Sequence, residues 1–339
     1  MRALVVTPPG RPFAIEERPD PKPGEGEIVV KIGRCGICGT DLSWTSGCTE
    51  HGMVWPVGSV IGHEWAGEVV ELGRNVERVK LGDIVTGMCG VGCGRCLHCV
   101  QGEPFMCPSV HIYASGFAEY LLSHDRAAVV LPKSLSMADG ALIEPLAVGL
   151  HGVVMSGMAA GDRVLVLGAG SVGLAAIFWA RRLGAGKIVA ASRSERRAEM
   201  AIAMGADRFV ATGNDETARV EAALGGPPDI VFECAGVPGM LAKSLTHVRR
   251  KGVVMSLGFC TSADPVVPAL AGSKQAQLRF AVAYTLADFE HCARVFDRDA
   301  LPDPKLMISD VFGLDAFPAV IEELRGPNEY SKVHLDPWA

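Results

Sequence analysis

The feature that most narrows the fold is a glycine loop set between an apolar strand and a helix. Residues 163–167 run directly into Gly168-Ala169-Gly170-Ser171-Val172-Gly173, and a segment rich in Ala, Ile, Phe and Trp follows to residue 183. This is G-x-G-x-x-G in the strand–turn–helix setting that gives the pattern its meaning. The first glycine permits the tight turn, the second lets backbone approach a pyrophosphate, and the third lets helix and strand pack closely. Free N–H groups at the helix N-terminus then face the phosphates of a dinucleotide.

Strands and helices alternate around that loop. The spacing predicts strands over 163–167, 187–191, 209–210, 229–234 and 252–257, with helices over 171–183 and 194–204. Such alternation gives a parallel sheet with right-handed crossovers, an open doubly wound α/β fold. Before residue 150 the texture differs. Short β-rich runs over 3–7, 27–32, 68–72, 83–86 and 117–122 are separated by Gly and Pro turns, which suits a mostly β domain. Prolines at 8, 9, 12, 19, 21 and 23 make the first connections extended. After about residue 286 come two more helices and a strand near 333–335. A chain of 339 residues accommodates two such domains.

Which dinucleotide binds depends on the end of the second strand, where an acidic residue normally grips the ribose 2′-hydroxyl. Nineteen residues after Gly173 stands Ser192, followed by Arg193, Ser194, Arg196 and Arg197, with no carboxylate at the expected place. A hydroxyl and guanidinium groups suit a 2′-phosphate, so Ser192, Arg193 and Arg197 predict NADP, with NAD as the alternative.

The eleven cysteines are unevenly distributed, five of them between Cys89 and Cys107. Cys93-x2-Cys96-x2-Cys99-x7-Cys107 offers four thiolates within fifteen residues, the pattern of a structural zinc site with no open position. A ferredoxin-type run has x3 before its Cys-Pro, so an iron–sulfur cluster is disfavoured. Cys89 lies outside the spacing and reads as a buried thiol, and His98 falls inside the lobe but off its spacing. A cluster this tight argues for a metal in a reducing compartment rather than for disulfides. A second constellation is dispersed: Cys38-Gly39-Thr40-Asp41, Gly62-His63-Glu64 and Glu144-Pro145. Cys, His and carboxylate together make a three-ligand zinc site that leaves one position for substrate.

Bulk properties bound the partners. Lys+Arg 32 against Asp+Glu 38 gives 32 − 38 = −6, which argues against nucleic acid and against anionic lipid surfaces. Hydrophobic residues at 49% exclude bulk disorder. No apolar run is expected to approach the roughly eighteen residues of a membrane helix. MRALVVTPPG lacks a signal-peptide h-region, so a soluble cytoplasmic protein is expected.

Taken together these segments resemble the zinc-containing medium-chain alcohol and polyol dehydrogenases, a family that includes sorbitol, threonine, butanediol and glucose dehydrogenases. The resemblance spans the chain and rests on Gly62-His63-Glu64, the Cys lobe, Gly116-Phe117-Ala118-Glu119-Tyr120, Glu144-Pro145, the glycine loop and Lys332-Val333-His334-Leu335-Asp336-Pro337. It implies a GroES-like catalytic domain over 1–150, a Rossmann NADP-binding domain over 151–284, and a return to the catalytic domain over 285–339. It implies two zinc ions per chain. Cys38 and His63 would ligate the catalytic one, with Glu64 and Glu144 as its carboxylates, one of which binds through water or moves in the polyol branch. Asp41 would orient His63, and Thr40 would take the substrate proton. The implied reaction is hydride transfer between NADP(H) and a secondary alcohol, polyol or sugar. A homodimer or homotetramer is implied, with 278–284 supplying an interface strand. The alternatives are a zinc-free quinone or enoyl reductase, which normally lacks both ligand sets, and an NADPH-binding protein without turnover.

Two departures stand out. Relatives often place His three residues after the Thr, where this chain has Ser43, so the proton is expected to leave by water or a group such as His51. A Ser43→His variant should then shift the pH–rate profile. The stretch from Cys107 to Gly116 is short, which reads as a trimmed loop. His151, Trp44, Trp55 and Trp65 read as packing residues.

Overall fold

The computed structural model describes residues 1–47, 54–297 and 302–339. The chain divides into two compact units: Met1–Glu144 with Tyr284–Ala300 and Ile308–Ala339, and Pro145–Ala283 with Leu301–Met307.

The first unit is built on a long strand, Glu27–Gly36, whose Ile28, Val30 and Ile32 are fully buried. A two-residue period puts those three side chains on one face of the strand. Its sheet runs in the order Ile308–Gly313, Lys332–Asp336, Glu27–Gly36, Glu64–Leu72, Ile84–Gly87, Ala128–Val130, with Tyr120–His124 also pairing Glu27–Gly36. Its core gathers Ile28, Val30, Ile32, Trp65, Phe117, Phe317 and Leu335. The Phe117 and Phe317 rings meet edge to face at 5.2 Å. Each aromatic buried this way contributes about 1.5–3 kcal/mol from removal of apolar surface alone. The GroES-like fold follows from this frame. The strand Ile308–Gly313 is not marked in the sequence because all of its side chains are half-buried or exposed, so no apolar alternation appears.

The second unit carries six parallel strands in the order Arg208–Ala211, Lys187–Ser192, Arg163–Leu167, Ile230–Glu233, Val253–Ser256, Gln277–Phe280. In chain order this is 3-2-1-4-5-6, the Rossmann arrangement, and the order reverses between Arg163–Leu167 and Ile230–Glu233. Leu165, Leu167, Val189, Val231 and Val254 form the core of one face. The segment 194–204, expected as one helix, is a 3-10 turn at Glu195–Arg197 followed by the helix Ala198–Ala203.

One expectation needs correcting. The helix Met137–Ser156 has 20 residues and is apolar enough, by length and composition, to cross a membrane. It holds Asp139, Glu144 and Pro145, and 72% of its apolar window is buried inside the protein, as in a core helix. Those interruptions hid it as an apolar run.

Candidate active site

The strand Glu27–Gly36 delivers the chain through Ile37 to Cys38, which caps the short helix Gly39–Ser43. Asp41 lies within that helix, 1% exposed, and its Oδ2 accepts the Cys38 backbone N–H at 2.9 Å. The other oxygen, Oδ1, is buried without a hydrogen-bond partner among the described residues and stands 3.4 Å from His63 Nδ1. One carboxylate thus braces both the cysteine backbone and the imidazole. Burial works against a charged His63 ring, but Asp41 and Cys38 outweigh it and hold its pKa well above the ordinary range. His63 precedes the strand Glu64–Leu72, in which Glu64 lies in register with Gly36. A Cβ at position 36 would collide with the Glu64 carboxylate, so glycine there is what lets that side chain lie across the sheet. Cys38, His63 and Glu64 bring their donor atoms within 4.8 Å of one another.

Glu64 is engaged from the other side as well. Lys332 Nζ donates to both its carboxylate oxygens at 2.6 Å and to the Ile37 carbonyl at 2.9 Å. In the sequence Lys332 stands only as the first residue of the terminal Lys332-Val333-His334-Leu335-Asp336-Pro337 segment. A lysine in a buried strand position was the available signal, because such a cation requires a partner. Glu144 lies outside the three-residue cluster, and burial pushes its pKa up to about 7. Tyr284 brings its hydroxyl beside Glu144 and Cys89 without forming a hydrogen bond of ordinary geometry among the described residues. The Cys89 thiol is pushed up to about 11 by burial, in the field of His63 and Glu144. Sequence spacing gave no hint that Cys89 and Tyr284 stand there.

Thr40 is half-buried in the helix Gly39–Ser43, and the Ser43 hydroxyl donates to its carbonyl at 3.5 Å. His51 lies outside the described residues. Trp65 is fully buried, while Trp44 and Trp55 pack at 5.9 Å. The short stretch after Cys107 pairs back as the strand His111–Ile112 against Gly90–Val91.

Cys93, Cys96, Cys99 and Cys107 also bring their sulfur atoms within 4.8 Å of one another. Backbone N–H groups of Cys93 and Ser109 donate to Cys107 Sγ at 3.3 and 3.4 Å. Donors of this kind favour thiolate, and backbone N–H groups from Arg95 and Cys96 bring Cys93 down to about 6. Arg126 ties the lobe down by donating to the Gly92 carbonyl at 3.1 Å. His98 is outside the sulfur cluster and pairs with Glu103 at 3.5 Å. The thiol, imidazole and carboxylate donors of the first cluster, with the imidazole braced by Asp41, fit a catalytic zinc ion. The four sulfurs fit a structural one.

In the second unit Gly168 has φ +100°, open to glycine at little cost, and sits against the backbone of Cys234 and Ala235. A Cβ on Gly173 would collide with the Gly168 carbonyl. The helix Ser171–Arg182 begins here, with Gly170 as its cap and Val172 in its first turn. The neighbouring strand ends at half-buried Ser192, and exposed Arg193 follows. Half-buried Arg197 lies 3.8 Å from where a Cβ on Gly170 would stand. The turn Glu195–Arg197 therefore brings a guanidinium to the glycine loop. The loop, Ser192 and Arg197 gather at the carboxyl ends of the strands, where open α/β sheets bind ligands.

Residues 24–133 match the model of the alcohol dehydrogenase GroES-like domain, and residues 171–298 that of the zinc-binding dehydrogenase. The chain is 30% identical to sorbitol dehydrogenase of Bacillus subtilis over 337 residues, covering 96% of this chain and 95% of that protein. It is 34% identical to L-threonine 3-dehydrogenase of Saccharopolyspora erythraea over 265 residues, 76% of this chain and 77% of that one. A Sinorhizobium meliloti 1021 protein solved with NADP bound superposes with a TM-score of 0.84 at 28% identity, covering 99% of each chain. With both halves matched, and a relative aligned end to end, the chain belongs to the zinc-containing medium-chain alcohol and polyol dehydrogenases.

Proposed function

We propose that this protein interconverts a secondary alcohol or polyol and its carbonyl compound with NADP(H). The observation that carries the reading is the Cys38–His63–Glu64 cluster in a chain whose dinucleotide loop meets Ser192 and Arg197 in place of a carboxylate. Cys38 and His63 would hold zinc, completed by Glu64 or Glu144, and the four-cysteine lobe would hold a second ion. When bound, the catalytic zinc supplies Lewis acidity at the substrate oxygen and the nicotinamide accepts or returns the hydride. Asp41 keeps the imidazole in its liganding orientation. Thr40, beside the cluster in the chain, would relay the hydroxyl proton, accepting it as its own hydroxyl proton passes to water, since Ser43 cannot act as a base near neutral pH. Ser192, Arg193 and Arg197 would receive the 2′-phosphate. The NADP carried by the Sinorhizobium relative supports that choice, and the sorbitol and threonine dehydrogenase relatives support a CH–OH substrate. Exposed Phe280 and Val282, on and just past the sheet-edge strand Gln277–Phe280, suit a homo-oligomer formed along that edge.

The test is nicotinamide reduction by zinc-loaded protein across secondary alcohols, polyols and sugars, with NADP+ and NAD+ in parallel and a chelator control. Chelator-sensitive turnover preferring NADP+ is expected. Turnover with NAD+ alone would overturn the Ser192–Arg197 reading, and chelator-resistant turnover would favour a zinc-free reductase.

A further inference from the structure

The turn after the fourth strand of the Rossmann sheet is held by a single buried carboxylate. Glu233, the last residue of Ile230–Glu233, is 2% exposed. Its Oε1 accepts the backbone N–H groups of Ala235 at 2.7 Å and Gly236 at 2.9 Å. The backbone carbonyl of the same residue accepts from Leu257 at 2.7 Å and Gly258 at 2.8 Å. Ser256 donates to Oε2 at 3.4 Å. Glu233 thus pins its own turn through its side chain and the adjacent turn through its backbone.

Both turns face the glycine loop's side of the sheet. A Cβ on Gly168 would stand 2.9 Å from the Ala235 nitrogen and 3.0 Å from the Cys234 carbonyl carbon. A Cβ on Gly258 would meet Glu233 Oε2 at 2.7 Å and collide with the Gly236 nitrogen. Residues 168, 235–236 and 258 are therefore packed backbone to backbone around one carboxylate. The place is the reversal of strand order, where Leu167 lies in register with Glu233. Burying a carboxylate is costly, and one here raises its own pKa.

The geometry points to Glu233 as a positioning residue for the dinucleotide: through the Ala235 and Gly236 amides it fixes the backbone that backs Gly168, and so the shape of the phosphate-binding turn. The inference rests on the reading that this unit binds a nicotinamide dinucleotide. It acts on ground-state affinity and leaves the chemistry of the first unit untouched.

The experiment compares zinc-loaded wild type with Glu233→Ala and Glu233→Gln, titrating NADPH and NADH by nucleotide fluorescence. Steady-state kinetics and hydrogen exchange of the 230–240 peptide are measured on the same samples. Two hydrogen bonds to a charged acceptor are lost in Glu233→Ala, so its Kd is expected to rise about tenfold or more. Glu233→Gln, which keeps one carbonyl acceptor, should fall between. The Ala235 and Gly236 amides should exchange faster, while kcat at saturating dinucleotide and KM for the alcohol stay near wild type. If Glu233→Ala misfolds, Glu233→Gln carries the test. Wild-type affinity in a folded variant whose amides exchange faster would overturn the inference. So would losses in kcat and in alcohol KM that match the loss of affinity. A wild type that binds neither dinucleotide would sink the functional reading, and this inference with it.

Discussion

Lys332 Nζ lies 2.6 Å from both carboxylate oxygens of Glu64, and the two side chains are each 1% exposed. Neither charge has water to fall back on. The pair links the closing strand Lys332–Asp336 to the strand Glu64–Leu72 across Glu27–Gly36. In zinc-free protein, removing one member leaves the other buried and uncompensated, which costs about 3–5 kcal/mol. Lys332→Met is therefore expected to lower stability by that order in denaturant unfolding. The double variant Lys332→Met/Glu64→Gln should recover part of the loss. An unchanged midpoint in Lys332→Met would mean the pair is not closed in solution.

Two residues along the same strand, His334 is fully buried, and neither ring nitrogen has a hydrogen-bond partner among the described residues. Burial, with Lys332 and Arg34 adding to it, pushes its pKa down to about 3. The unfolded ring titrates near its ordinary value of about 6.5. Between those values the unfolded state binds the extra proton, so stability is intact above the upper one and lost as pH falls. The slope approaches about 1.4 kcal/mol per pH unit. His334→Val should be neutral or mildly stabilising at pH 7 and should flatten the acid limb. Urea unfolding at pH 7.0, 5.5 and 4.5 checks both; an acid limb as steep as wild type would remove His334 as its cause.

In the four-cysteine lobe Leu97 and Val100 face outward, exposed at 68% and 74%. A metal held by the four sulfurs would add order that these side chains do not supply. Cys99→Ser is expected to cost one zinc per chain by elemental analysis while the Cys38–His63 ion stays. Proteolytic cleavage should appear within 93–107. Full zinc content in the variant would argue that the lobe folds without metal.

The sequence disclosed the parts of this site that are spelled locally. The glycine loop, the cysteine lobe and the missing acid at Ser192 are each defined by neighbours within about twenty residues. Lys332, Tyr284 and Cys89 were not legible as site residues, since they reach Glu64 and Glu144 only through sheet pairing and chain return. Glu233 was equally hidden: it falls inside the expected strand 229–234, and only the positions of Ala235 and Gly236 give it a role. The strand Ile308–Gly313 was missed because none of its side chains is fully buried, so its sequence carries no apolar alternation.

Cofactor choice gives the last prediction. Ser192 ends the second strand half-buried, and Arg197 reaches the Gly170 turn. An arginine paired with a phosphate contributes about 1.5–3 kcal/mol, so Arg197→Ala should raise KM for NADP+ by about tenfold or more. NAD+ lacks the 2′-phosphate and should be affected far less. Ser192→Asp works in the opposite sense. Its carboxylate would repel the 2′-phosphate and accept from the ribose hydroxyls of NAD+, as acidic residues at this position do elsewhere. The ratio of kcat/KM for NADP+ to that for NAD+ should fall in both variants, and furthest when they are combined. Because the change is in a ratio of two cofactors on one enzyme preparation, loss of fold or zinc cancels out. An unchanged ratio in Ser192→Asp would place discrimination away from that strand end, and one in Arg197→Ala would leave Arg197 as a residue that merely packs beside the loop.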